Sequence, residues 1–215
     1  MEHWTDREFD RQLANLFDKG YPRLAGESEA EFAALLEPLR EVARTATVRA
    51  DPQPTPARVP FVVVVTESLV PAEKLVPLLT LAGSTTHGVV DRNHGTGGLA
   101  PYRPLPELGA PQKPAYLLVD VERGEEFRNV RPEDALPVIL GRDRTPLTIA
   151  EGIALITHFP EVLEKNHCFM LSGSRRGDRR VPALWISGRA PKLGWCWDGN
   201  PHAWLGTASA GARAA

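Results

Sequence analysis

Apolar positions recur at helical spacing twice near the start of the chain. Phe9, Leu13, Leu16 and Phe17 form one stripe, ended by Gly20, and Phe32, Leu35, Leu36 and Leu39 form another. Ahead of them, Thr5 with Glu8 and Ser28 with Glu31 show the spacing by which a helix start satisfies its own free amides. The pattern predicts two amphipathic helices. Pro38 falls inside the second stripe, where it removes a backbone bond and should kink or shorten the helix. Neither helix is stable alone in water, so both stripes must pack on each other or on later parts of the chain.

The pattern then changes. DPQPTPARVP, from Asp51, cannot be regular structure and reads as an extended linker. PFVVVVT, a β-branched block from Pro60 to Thr66, predicts a buried strand, and AYLLVDV, from Ala115 to Val121, a second. Pro71 and Pro132 each start a short helix. Thr148 with Glu151 gives a third capping box, followed by the stripe Ile149, Ile153 and Ile156, with His158 as a dipole-compatible cap at the helix end. Between these elements, residues 84–113 are irregular and rich in glycine and proline, and a loop of that length is functional or disordered.

From Lys165 to Gly206 the chain concentrates four of its five tryptophans and both cysteines. Asn166–Gly173, Arg180–Gly188, Lys192–Trp197 and His202–Gly206 read as strands of an antiparallel meander. With a turn at Asp198–Pro201, Trp197 faces His202 and Trp195 faces Trp204, which puts all four on one face and Cys196, Ala203 and Leu205 on the other. The closing TASAGARAA should fray.

The expected fold is α+β: an N-terminal helical pair, then a mostly antiparallel sheet with helices on one face, ending in the tryptophan-rich meander. A small α/β arrangement is the alternative. In residues, this is a helical segment over 1–48, a proline-rich linker over 49–60, an α+β domain over 61–207 and a flexible tail over 208–215.

Composition narrows the function classes. At 215 residues the chain can bury one good core but not two large ones. A net charge of -2 argues against a general electrostatic hold on nucleic acid. The start, MEHWTDREFD, has no apolar leader, and Phe61–Val65 is too short to cross a bilayer, so no membrane partner is expected. Two cysteines outside any CxxC suit a reducing cytoplasmic compartment.

Two groups of residues carry candidate chemistry. Arg175, Arg176, Arg179 and Arg180 surround a Gly-Asp turn with Lys192 nearby, and guanidinium forks suit phosphate or carboxylate. The bland alternative is a solvated hairpin tip. Trp195, Trp197, His202 and Trp204 could line a pocket for a planar or cationic group, or simply pack as a hairpin face. His87, Asp91 and His94 attract attention as a metal set, but their loop gives them no defined geometry, and no metal is assigned. Cys196 and His202 fall on opposite faces and cannot form a dyad, and no GxSxG, HExxH or Walker string is present.

The primary expectation is a non-catalytic binding or interaction protein that uses the Trp/His face rimmed by arginine, with an unknown small molecule or protein as partner and no cofactor named. The alternative is an enzyme acting on an anionic small molecule, held by Arg176 and Arg179 with His202 as acid or base. A third reading stacks single-stranded nucleic acid on the tryptophans.

The strings RTPLTIAEGIALITHFPEVLEKNHCFMLSGSRRGDRRVPALWIS and PKLGWCWDGNPHAWLG, together with AYLLVDVERG and EDALPVIL, resemble a family of uncharacterised actinobacterial proteins, a domain of unknown function. The likeness runs from the first helix to Gly206. It implies an actinobacterial cytosolic protein and transfers no activity or catalytic residue.

Overall fold

The computed structural model describes residues 4–47 and 53–215. The N-terminal stripes fold as four helices: α1 (Trp4–Asp18), α2 (Tyr21–Ala25), α3 (Glu29–Leu36) and α4 (Pro38–Ala46). Pro38 is the reason the second predicted helix is two, since it ends α3 and opens α4 as its first residue. Ser28 accepts the Glu31 amide while Glu31 accepts the Ser28 amide, so that capping box forms. Thr5 does not cap. It lies inside α1, buried, with its hydroxyl 3.3 Å from that of Thr47.

The rest of the chain runs β1 (Arg58–Val65), α5 (Ala72–Leu75), β2 (Val89–Val90), β3 (Arg103–Pro104), β4 (Ala115–Glu122), α6 (Pro132–Gly141), β5 (Thr145–Pro146) and α7 (Ile149–His158). It closes with β6 (Cys168–Met170), β7 (Ser174–Arg175), β8 (Arg180–Ser187), β9 (Ala190–Trp197), β10 (Leu205–Thr207) and β11 (Ser209–Ala214). The fold is α+β. The first sheet has the order β1-β4-β11-β5 and is antiparallel throughout. The second has the order β10-β6-β8-β9-β2, with parallel pairing at both edges, and β3 with β7 makes a third, two-stranded piece.

Three expectations need correction. The proline-rich linker expected over 49–60 is shorter at its far end, because β1 already begins at Arg58, and the segment before residue 53 lies outside the described residues. The flexible tail over 208–215 is instead β11, hydrogen-bonded to β4 on one side and β5 on the other. Its small residues carry no apolar stripe, yet smallness is what the site needs: Ala210 is fully buried, and a Cβ on Gly211 would stand 3.1 Å from the Asp120 carboxylate. The tryptophan-rich meander is the third. β8 and β9 form a hairpin, but the next strand crosses to the far edge and lies parallel to β6.

One buried cluster joins all layers. It contains Phe9, Leu16, Phe32 and Leu36 of the helices, Val62 and Leu118 of the first sheet, and Phe169 and Leu184 of the second. Every residue of β1 from Val59 to Val65 is buried, so the first sheet is covered on both faces rather than one. Its outer edge is closed by side chains. The Gln12 amide donates to the Phe61 carbonyl at 3.0 Å and accepts from the Val63 amide at 2.8 Å, the pattern a neighbouring strand would make. His158 Nε2 donates to the Val63 carbonyl at 3.1 Å. That answers the open-edge problem without another strand. It also corrects the reading of His158 as a charged helix cap, because burial, with Arg11 and Lys19 nearby, pushes its pKa down to about 3 and keeps it neutral.

Candidate functional site

The aromatic face expected at the C-terminal strands does not assemble as one surface. Trp195 and Trp197, two apart on β9, meet edge to face at 5.0 Å between ring centroids. His202 and Trp204 form a second group, 5.5 Å apart, and Trp204 packs on Trp185 at 6.1 Å. The register explains the split. Trp197 pairs with Arg180 and Trp195 with Pro182 of β8, so His202 and Trp204 never sit opposite them. Trp185 lies on Gly194, where any Cβ would be 2.0 Å from its ring. Trp197 is 45% and Trp204 36% exposed, and Trp195 Nε1 is tied to the Asn93 carbonyl at 3.0 Å.

Each of the predicted basic residues already has an acid. Arg175 pairs with Asp198 at 3.2 Å, Arg176 with Asp178 at 3.4 Å, Arg179 with Glu133 at 2.7 Å and Arg180 with Asp178 at 3.7 Å, while Lys192 holds Asp91 at 3.3 Å. Arg180 also lies over the rings of Trp195 and Trp197, at 4.6 and 6.0 Å, and Arg176 over that of Tyr102 at 5.5 Å. Burial lowers the pKa of Arg175, with Asp198 opposing. Among the described residues no hydrogen bond, ion pair or ring contact links His202 to Arg176 or Arg179.

The loop histidines do not converge on a metal. His87 Nδ1 lies 2.8 Å from the Pro77 carbonyl, His94 Nε2 lies 3.2 Å from that of Leu193, and Asp91 accepts from the Asn93 amide. No group of three or more His, Cys, Asp or Glu positioned for a metal occurs among the described residues. Both cysteines are free and buried, and desolvation raises the pKa of Cys168 and takes that of Cys196 to about 12, the reverse of an activated thiolate.

A further concavity lies elsewhere, at the end of the first sheet. Thr66 and Ser68 leave β1, Tyr116 opens β4, Thr148 and Ile149 start α7, Ser174 comes from β7, and the second half of the long loop, Tyr102 to Lys113, closes over them. The cleft is open on one side, with a volume of about 230 Å³. The loop is stitched down at both ends: β3 pairs with β7, and the Thr66 amide donates to the Pro114 carbonyl at 2.9 Å.

Beneath the cleft sits a fully buried carboxylate. Glu151 Oε1 accepts from the Tyr116 hydroxyl at 2.7 Å and from Arg213 Nε at 2.6 Å, while Oε2 accepts from the Thr148 amide at 2.7 Å and Arg213 Nη2 at 3.0 Å. Arg213 is 6% exposed on its side chain and Glu151 0%. A buried charge is tolerated where its partner and hydrogen bonds are complete, as here. Desolvation, and then the Glu151 charge, push the Tyr116 pKa far up, so its hydroxyl stays a donor. The network fixes the start of α7 and with it the cleft wall.

The charged groups around the opening differ from those of the arginine turn. Arg103 donates Nη1 to the carbonyls of Ala100 and Tyr102, and neither it nor Lys113 has an acid within ion-pair distance among the described residues. Glu67 is the one carboxylate in the lining among the described residues, its pKa raised by desolvation and by Glu73 against a pull from Arg103.

Against known proteins, a family of unknown function, DUF5701, matches residues 15–215. The chain belongs to that family. No curated protein and no solved structure matches it. The match covers every element that builds the cleft, from β1 to the Arg213 strand, and begins after Gln12. Sequence reasoning did not bring together Thr66, Tyr102, Arg103, Lys113 and Ser174 as the lining of one cleft. Two signals were present, the long irregular loop and the Thr148–Glu151 box, but nothing local says that the loop's far end returns to that helix start.

Proposed function

We propose that this DUF5701 member is a non-catalytic binding protein whose ligand is a small molecule held in the cleft between Thr66, the start of α7 and the loop from Tyr102 to Lys113. The observation that carries this reading is the contrast in construction. A floor tied by the Glu151–Arg213 pair faces a roof supplied by the second half of the glycine- and proline-rich loop. Among the described residues no histidine or cysteine lines the cleft, and the Ser174 hydroxyl receives the Ile149 amide. That arrangement suits recognition better than nucleophilic chemistry.

The test is a fragment screen by ligand-observed NMR on the intact protein beside Ala150→Phe, which places a ring in the cleft. Hits lost in the variant support the reading. A screen without hits, or hits indifferent to the variant, sinks it.

A second reading, protein contact through the aromatics of the second sheet, is favoured by the exposure of Trp197 and Trp204. Acrylamide quenching of Trp197→Phe and Trp204→Phe tests it at first pass: if neither removes a large share of the quenchable emission, no exposed indole is available to a partner.

A further inference from the structure

The lining of the cleft is rich in donors and poor in negative charge. Arg103 and Lys113 stand at the roof with no carboxylate within ion-pair distance among the described residues, although Glu67 of the same lining feels the Arg103 charge while desolvation and Glu73 raise its pKa. In the first turn of α7, the Ile149 amide is taken by Ser174 Oγ and that of Glu151 by Thr148 Oγ1, which leaves the Ala150 amide without a partner among the described residues. Tyr102, 2% exposed, also lines the cleft, while its hydroxyl lies in the field of Arg176, Asp178 and Arg180 of the arginine turn and is not among the cleft's donors. Thr148 and Ser174, both buried, each accept one backbone amide through the hydroxyl oxygen and keep a proton to donate.

Between these donors the surface is apolar. Pro104, Pro111, Ile149 and Ala150 supply it. An apolar cavity of about 150 Å³ is enough to hold benzene. The 230 Å³ here therefore admits one ring or a short branched chain, with room for a polar head.

Resting on the cleft being the ligand site, we propose that its ligand is a compact organic acid, a carboxylate or phosphate carried on a single ring or short branched chain. The acid group lies at Arg103 and Lys113, which can grip it with charge-assisted hydrogen bonds, and the body lies on the proline and α7 side. The contrast with the arginine turn supports this, because there every guanidinium already has a carboxylate within ion-pair distance, Arg176 and Arg180 sharing Asp178.

The experiment is calorimetric titration of the full chain, at fixed ionic strength, with benzoate, phenyl phosphate, benzyl alcohol and inorganic phosphate. Benzoate or phenyl phosphate should bind saturably. The Arg103→Gln, Lys113→Gln double variant, which changes exposed side chains and is checked for an unchanged fold by circular dichroism, should weaken that binding about tenfold or more. Benzyl alcohol binding as tightly as benzoate, in both proteins, would overturn the acid while leaving the cleft a ligand site. Inorganic phosphate matching phenyl phosphate would overturn the organic body. Binding of the acids that survives Ala150→Phe would place them outside the cleft. Silence from all four probes overturns this ligand class, and the fragment screen then decides separately whether the cleft binds anything.

Discussion

Two adjoining regions of the molecule, joined where Arg103 pairs across strands with Arg175, handle positive charge in opposite ways. At the turn between β7 and β8, four arginines crowd six positions, yet each is paired with Asp178, Glu133 or Asp198, and two lie on aromatic rings. At the cleft, Arg103 and Lys113 are ten residues apart in the chain and have no acid partner among the described residues. Density of charge in sequence is therefore a poor guide to charge available to a ligand. What decides is whether the fold brings carboxylates to the same place, and at the arginine turn α6 and the end of β9 supply them.

The sharpest break in this comparison would come from Glu151→Ala. It strands the Arg213 guanidinium in the interior beneath the cleft and should cost about 3–5 kcal/mol, read by guanidinium denaturation. A loss under about 1 kcal/mol would mean the network does not hold the cleft floor.

Acid comes next, and it acts on the first sheet through His158. Because its pKa is lowered from an ordinary 6.5 to about 3, the unfolded chain binds a proton there that the folded protein does not. Stability should be unaffected by this group above pH 6.5 and fall by about 1.4 kcal/mol per pH unit below it, until about pH 3. Urea midpoints between pH 7 and 5 measure this, and in His158→Gln the component should be absent.

On the other sheet, Gly194→Ala pushes a methyl group into the Trp185 ring. It should cost about 1–3 kcal/mol and shift the tryptophan emission, with far-UV circular dichroism unchanged. Arg179→Ala sits at the bottom of the scale. Its pair with Glu133 is solvent-exposed, so thermal unfolding should change by about 0–1 kcal/mol.

Much of the framework was legible. Ser28–Glu31 and Thr148–Glu151 mark helix starts because capping is a local exchange of hydrogen bonds, and the valine run of β1 marks a buried strand because β-branching and apolarity act residue by residue. Pro38 was legible as a break for the same reason. The site was not. Trp195 and Trp204 stand opposite one another only under the assumption that neighbouring strands pair, and β10 instead crosses to β6. The tail reads as loose because TASAGARAA has no stripe, yet a central strand between two others is held by backbone bonds that no side-chain pattern reports.

By itself the sequence determined the helix starts, the proline breaks and the long buried strands β1 and β4, because helix caps, prolines, and β-branched and apolar spacing work within a few residues of one another. Only the tertiary structure decided which charges are free, which tryptophans share a surface, and that Arg213 from the last strand meets Glu151 from α7. Those are encounters between residues scores of positions apart, set by strand order and crossover, and their energies exist only once the chain has closed on itself.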